Sequence, residues 1–298
     1  MIATKISAYN YWQVFLEKVK SMGELVKARL SLLVTFSAGF GYMLGKGTVD
    51  WWEFAMLCTG GFLISGASVT INQILEIEFD RQMDRTKDRP LPTGRVSVNE
   101  AIIFAVFCMI AGLFLLLKYT NLLTASLSLI SLLLYSFVYT PLKRVGPIAV
   151  LVGAFPGALP PLLGWVAATG SISPEALVIF GIQFIWQFPH FWAIAWVSDE
   201  DYKRAGFKLL PVPGKKDLRT AVHIMTYTLF LLPLGLLPLK FGITGVDSAI
   251  VATVCGALFL GQTFRLMVDC SRKSALKIMF GSFLYLPVVQ IAYLLDKI

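Results

Sequence analysis

Four polar residues recur at intervals of four in one stretch of the chain: Asn72, Glu76, Asp80 and Asp84. On a helix, a step of four returns to nearly the same face, so the spacing predicts one helix carrying one acidic stripe. The stripe begins inside an apolar segment long enough to cross a bilayer. Ionisable groups at that depth are costly unless they line a polar cavity or bind something, which makes a functional site the default reading. Where the stripe reaches the interface, Arg81, Arg85, Lys87, Arg89 and Arg95 take over. Oxygen ligands in this pattern suit Mg2+, which is seldom caged by protein alone and completes its shell with phosphates and water. Asn72, Glu76, Asp80 and Asp84 are the candidate catalytic residues, with the first three as candidate metal ligands.

A second acidic cluster, Asp199, Glu200 and Asp201, is followed by Tyr202, Lys203, Arg204 and Lys208. Alone, it reads as a solvated collar at a helix end. Facing the first cluster across a cavity, it becomes the other half of a cation site. Positions two apart point to different sides of a helix, so Asp199 and Asp201 are alternative candidate ligands and the choice among the three carboxylates stays open. The run YTPLKR, Tyr139 to Arg144, adds Lys143 and Arg144, either as interface anchors or as anion ligands. Carboxylates, Mg2+ and a surplus of cations together read as a diphosphate site, in which positive charge stabilises the leaving group as its bond to carbon breaks. Its candidate diphosphate ligands are Arg81, Arg85, Lys87, Arg89, Tyr139, Lys143, Lys203 and Arg204.

The elements that position these groups are membrane spans. Of 298 residues, 56% are hydrophobic and 15% charged, and the apolar residues fall in blocks. A span needs about 20 mostly apolar residues. Nine windows qualify, at 28 to 45, 53 to 76, 98 to 117, 121 to 140, 147 to 168, 175 to 197, 219 to 238, 246 to 268 and 276 to 295. With the N-terminus in the cytoplasm, 22 of the 26 Lys and Arg fall on the cytoplasmic side, the exceptions being Lys46, Lys118, Lys240 and Lys297. This asymmetry supports an odd number of spans, cytoplasmic loops after spans two and six, and an external C-terminus. It also gives the net charge of +8 a topological meaning and removes nucleic acid as a partner.

Residues 1–27 lack a cleavable signal pattern. Tyr9, Tyr11, Trp12, Phe15, Leu16 and Val19 alternate there with Glu17, Lys18 and Lys20, as in a surface-lying amphipathic helix or a basic tail. Cys58, Cys108, Cys255 and Cys270 are scattered and read as small buried hydrophobes. LPTGR (Leu91 to Arg95) and LPVPGK (Leu210 to Lys215) close the two long linkers in a faint parallel repeat. Gly153, Pro156, Gly157, Pro160, Pro161 and Gly164 predict a kinked or broken fifth span, or close packing at the glycines.

Asn72, Glu76 and Asp80 resemble the N-x-x-x-D-x-x-x-D signature of the UbiA superfamily of intramembrane prenyltransferases. The resemblance spans nearly the whole chain and implies a single all-α integral membrane domain, residues 1–298, of nine helices. Gln73 stands where many members have Asp, Glu76 replaces the middle Asp, and the usual second pair of Asp four apart is missing. DRQMDRTKDRPLPTGR and PHFWAIAWVSDEDYKRAGFKLLPV are similar to the branch that farnesylates haem. That likeness implies farnesyl diphosphate and haem b as substrates, haem O as product, Mg2+ as cofactor, and a bacterial plasma membrane as location. It also implies haem A synthase or oxidase assembly factors as possible downstream partners. His190 and His223 are then haem-binding candidates, His190 as an axial ligand or orienter or as a residue hydrogen-bonded within the bundle. Trp186, Trp192 and Trp196 around it fit a porphyrin wall or simple core packing. An aromatic quinone precursor or chlorophyllide is the alternative acceptor. An ion-coupled transporter is the rival class, disfavoured because the charges gather at one face and not at the midplane.

Overall fold

A hydrocarbon environment leaves the backbone no partner except itself, so each apolar run folds as a helix. Short polar side chains set where the helices begin. Asp50 accepts from the amides of Trp52 and Glu53, Ser97 and Glu100 form a reciprocal capping box, and Asn121, Ser173, Asp217 and Ser271 each accept from the third amide beyond.

The structure, a computed structural model, describes residues 2–212 and 215–298, with side chains from Trp12 onward. Pro213 and Gly214 of the second repeat and the side chains of Tyr9 and Tyr11 lie outside the described residues. The order is α1 (Ile2–Leu25), α2 (Ala28–Gly45), α3 (Trp51–Leu75), the short α4 (Ile77–Asp80), α5 (Val98–Tyr119), α6 (Leu122–Leu142), α7 (Ile148–Thr169), α8 (Pro174–Val197), the short α9 (Asp199–Arg204), α10 (Leu218–Lys240), α11 (Val246–Asp269) and α12 (Arg272–Leu295). No strand occurs among the described residues. Among the described residues, eight helices (α3, α5, α6, α7, α8, α10, α11 and α12) are long and apolar enough to cross a membrane. The remaining expected window, 28 to 45, coincides with α2, an 18-residue helix whose apolar character is diluted by Arg29 and by several Ser and Gly. The N-terminal segment is helical, and Trp12, Phe15, Leu16 and Val19 are all exposed on it.

α2 crosses α7 with almost no side chain between them. A Cβ on Gly41 would lie 1.9 Å from the Pro161 carbonyl oxygen, and one on Gly164 would lie 1.8 Å from that of Ala38. Both glycines are therefore required by backbone approach. α7 itself is not broken. It runs unbroken through Pro156, Pro160 and Pro161, because other helices take up carbonyls that the prolines leave free. Gln183 Nε2 donates to the Gly157 carbonyl at 2.8 Å and Ser131 Oγ to that of Pro156 at 3.4 Å, the carbonyls that Pro161 and Pro160 leave without an amide four residues on, and Gln187 Nε2 adds a further bond to that of Ala154 at 3.0 Å. Gln290 Nε2 in turn donates to Gln183 Oε1 at 3.0 Å, tying α12 to the same buried polar thread.

The acidic stripe does not continue down one helix. α3 ends at Leu75, Glu76 leaves helical geometry (φ −108°, ψ 12°), and α4 adds one turn that stops at Asp80. Arg81 and Asp84 consequently depart from the face that a continuous helix would have given them.

Gly164→Ala is expected to lower the thermal midpoint in detergent, at a cost of about 1–3 kcal/mol from overpacking against backbone. Gly61→Ala in α3, where an added Cβ meets nothing within 4 Å, is the control and should stabilise by up to about 1 kcal/mol. Equal behaviour of the two variants would show that the α2–α7 crossing tolerates separation.

Candidate active site

The C-terminal ends of α3, α6 and α8 meet, and the polar residues of the sequence converge there. Asn72, Glu76 and Asp80 are all buried. Asn72 Nδ2 donates to Thr140 Oγ1 at 3.0 Å, and that hydroxyl donates to the Tyr135 carbonyl at 2.9 Å. The second bond is available because α6 widens to π-helical geometry over Leu134–Tyr139, a distortion frequent at functional sites.

Each buried carboxylate has its own cation. Lys143 Nζ lies 2.9 Å from Glu76 Oε1 and 3.0 Å from Oε2. Arg89 Nη1 lies 2.7 Å from Asp80 Oδ2. Thr86 Oγ1 donates to the Asp80 carbonyl at 2.9 Å and fixes the turn that brings Arg89 back. Asp80 Oδ1 is buried with no partner. Burial alone would depress the Lys143 ammonium, but Glu76, helped by nearby phenol groups, outweighs it and holds its pKa above the usual lysine range. Lys143 also faces the rings of Tyr139 at 4.9 Å and Phe207 at 5.6 Å.

The second cluster resolves into three environments. Asp199 is buried and its Oδ2 meets Lys203 Nζ at 2.8 Å and Lys216 Nζ at 3.1 Å. Asp201 pairs with Arg204, and Glu200 is exposed. Asp199 forms one wall of a cavity of about 320 Å³, with Ala195, Tyr202, Lys203, Gly206, Phe207, Lys208, Leu209 and Leu210.

The two acidic regions touch. Arg204 bridges Asp201 and Asp84, with Nη2 2.6 Å from Asp84 Oδ2, and the Asp84 amide donates to Asp201 Oδ1 at 3.2 Å. The Lys208 amide donates to the Lys143 carbonyl at 2.9 Å, and the Arg85 guanidinium lies 5.9 Å from the Tyr202 ring. Asp84 is exposed and also binds Lys87 at 2.9 Å. Lys87 and Arg204 hold its carboxyl below the usual range. The expected place of Asp84 on one continuous acidic face is therefore corrected, since the helix stops at Asp80. Arg81 is corrected as well, since it turns outward to Glu78 at 2.7 Å and to the Pro92 carbonyl. Arg95 clamps α1 through Glu24 at 2.8 Å.

Among the described residues, no three His, Cys, Asp or Glu side chains gather closely enough to hold a metal unaided. The donor set still fits Mg2+. Oxygen donors from Asn72, Glu76, Asp80 and Asp199 line one end of the bundle, and Asp80 Oδ1 has an unshared valence.

Of the histidines, His223 is exposed on α10, 6.2 Å from the Trp192 ring. His190 is half-buried, stacked on Trp186 at 4.4 Å, with Nδ1 2.8 Å from Ser282 Oγ. Trp192 and Trp196 are core residues.

The spacing rules missed Lys27, because a lone lysine before an apolar window reads only as a topology signal. It caps α2 in the left-handed region (φ 45°, ψ 58°), on an elbow fastened to α3 by Gln73 Nε2 donating to the Leu25 carbonyl at 2.7 Å. Burial, then the charges of Arg89 and Lys143, lower its pKa to about 7, against partial support from Asp80 and Glu76.

An apolar helical bundle with paired carboxylates and cations at one end defines an intramembrane prenyltransferase. The chain belongs to the UbiA prenyltransferase family, whose model matches residues 32–286. Relatives include the protoheme IX farnesyltransferase of Cytophaga hutchinsonii, 56% identical over 276 residues that cover 92% of this chain and 96% of the relative. That of Flavobacterium psychrophilum is 45% identical, covering 92% and 93%. Among solved structures, a digeranylgeranylglyceryl phosphate synthase superposes with TM-score 0.78 at 22% identity, covering 94% of this chain and 98% of that one. An Archaeoglobus fulgidus UbiA homologue bound to GPP and Mg2+ superposes with TM-score 0.63 at 18% identity, covering 94% and 99%. These two likenesses establish the fold.

The Lys27 pKa sets the sign of one pH effect. A lysine with a folded pKa near 7 and an unfolded one of 10.5 leaves the unfolded chain holding more protons between those values, so stability rises with pH across that window and is flat below it. The thermal midpoint of the wild type should therefore gain on that of Lys27→Met between pH 6 and pH 9. Allowing for residual exposure, the difference is on the order of 2 kcal/mol. Parallel pH profiles would remove the buried-lysine assignment.

Proposed function

We propose that this chain transfers a farnesyl group from farnesyl diphosphate to a vinyl group of haem b, with addition of water, to give haem O. The observation that carries the reading is the pairing of Glu76 with Lys143 and of Asp80 with Arg89 at the buried end of the bundle. It occurs in a chain that shares 56% identity with a protoheme IX farnesyltransferase over nearly the full length of both.

Asn72, Glu76 and Asp80 from one side, with Asp199 or Asp201 from the other, would hold Mg2+, of which Asp80 Oδ1 is the readiest donor. When bound, Mg2+ supplies positive charge against the diphosphate oxygens as the bond from oxygen to C1 breaks. Arg89, Lys143 and Lys203 add fixed positive charge, Tyr139 lies buried beside Lys143, and Arg85, Lys87 and Arg204 stand at the rim. Arg89 and Lys143 would exchange a carboxylate partner for the substrate phosphates, leaving Asp80 and Glu76 free to hold the metal. The diphosphate leaves with the electron pair of the C1–O bond. The vinyl π electrons attack C1, and the cation next to the porphyrin ring takes up water and releases a proton. Apolar walls keep bulk water from the allylic centre until the carbon–carbon bond has formed. Haem would lie against α8, with His190 as the better of the two histidine candidates because His223 faces outward.

The same reading places α2 as a ninth span within a single transmembrane domain, with the N-terminus and the active-site loops in the cytoplasm and the C-terminus outside. Support comes from 22 of 26 Lys and Arg falling on one side. The location proposed is a bacterial plasma membrane, where haem A synthase or oxidase assembly factors would receive the product.

The test is mass spectrometry of haem extracted from membranes of cells expressing the chain. Hydroxyethylfarnesyl haem is expected from the wild type, and Asp80→Asn should reduce its formation by about 100-fold or more while the protein stays folded. Near-normal turnover by Asp80→Asn would remove the metal role. Prenylation of an aromatic acid in place of haem would replace the acceptor, and substrate-driven ion flux without a product of altered mass would replace the class.

A further inference from the structure

His190 has an unusually complete set of restraints for a membrane-buried imidazole. Trp186 covers one face at 4.4 Å with the rings 20° from parallel, and Phe191 and Phe283 pack on it edge-wise at 5.3 Å and 5.2 Å. The Trp186 indole N–H also donates to the Ser282 carbonyl at 3.1 Å, so the residue that stacks on His190 also pins its hydrogen-bond partner. Ser282 is fully buried on α12.

Proton counting fixes the tautomer. Ser282 Oγ lies 2.6 Å from the Met279 carbonyl oxygen and 2.8 Å from His190 Nδ1. A carbonyl can only accept and a hydroxyl has one proton, so Ser282 donates to Met279. The contact with His190 is then bonding only if Nδ1 carries the proton and donates to Ser282 Oγ. That leaves Nε2 with its lone pair and no hydrogen-bond partner among the described residues. A neutral imidazole whose Nδ1–H is held by an oxygen, with Nε2 open, is the form in which histidine ligates a metal.

We propose that Ser282 and Trp186 are positioning residues that hold His190 in the Nδ1–H form, so that Nε2 binds the iron of the porphyrin acceptor as an axial ligand. The inference rests on haem being the acceptor and adds how the chain grips it. Iron ligation at the seam of α8 and α12 fixes the porphyrin by its centre, so that the vinyl groups project sideways at a set radius. The alternative, a plain α8–α12 staple, predicts no effect on iron.

The test is titration of ferric haem into the purified full-length protein in detergent, read by the Soret band and electron paramagnetic resonance, with haem O formation measured in parallel. The wild type should show a nitrogen-ligated signature. His190→Gly should lose it, bind at least about tenfold more weakly, and regain the signature on adding imidazole. Ser282→Ala should weaken binding by about 10-fold to 100-fold, and Ser282→Thr, which keeps the hydroxyl, should retain most of the affinity. A wild type that makes haem O while His190→Gly keeps an unchanged spectrum would overturn the ligation and leave the proposed reaction standing. Ser282→Ala matching the wild type, with His190→Gly impaired, would overturn the positioning role. A wild type that neither binds haem nor makes haem O would overturn this inference and the proposed function together.

Discussion

Glu76 and Asp80 lie where water does not reach them, and a carboxylate in that position persists only with a cation and hydrogen bonds around it. Lys143 comes from the end of α6 and Arg89 from the loop beyond α4, so two separate segments must fold onto α3 before either acid can be buried charged. The break in the helix at Glu76, the π-helical widening of α6 and the turn held by Thr86 all serve that arrangement. Any substrate that draws the cations away must bring a compensating cation for the acids, which is why a divalent metal and a polyanion are handled as one unit.

The scaffold behind the site follows the same rule with neutral groups. Prolines in α7 release carbonyls into a medium that cannot solvate them, and Gln183 from α8 and Ser131 from α6 donate to two of these. Gln183 is shared with Gln290, so α7, α8 and α12 are coupled through one chain of amides. The glycine crossing of α2 and α7 removes the remaining freedom on the other side of α7. The site is thus carried by helices whose relative positions are fixed by hydrogen bonds and backbone contact, a firmer support than loops would provide.

Much of this was legible in the residues. Eight of the nine apolar windows are spanning-length helices, and Asn72, Glu76, Asp80, Arg89 and Lys143 converge as their types and spacing suggested. α2 is the exception, because Arg29 and small residues dilute its apolar character. Asp84 was misplaced by a period-four rule that holds only while the helix continues, and the helix breaks at Glu76 and stops at Asp80. α7 looked breakable because the partners of its freed carbonyls lie up to 26 positions away. Lys27 gave no signal, since its burial depends on an elbow that only tertiary structure creates. The open choice among Asp199, Glu200 and Asp201 depended on which one faced a cavity, and local sequence does not encode that.

The contact between the two acidic loops is of another kind from the pairs beneath it. Asp84, Lys87 and Arg204 are about half exposed or more, whereas the Asp80 carboxylate is only 1% exposed. Mobile ions screen the first set and barely touch the second. Ionic strength therefore separates the mouth of the site from its floor: rising salt loosens the loops from each other while the buried acids keep their cations, and the entrance can open without the chemistry coming apart.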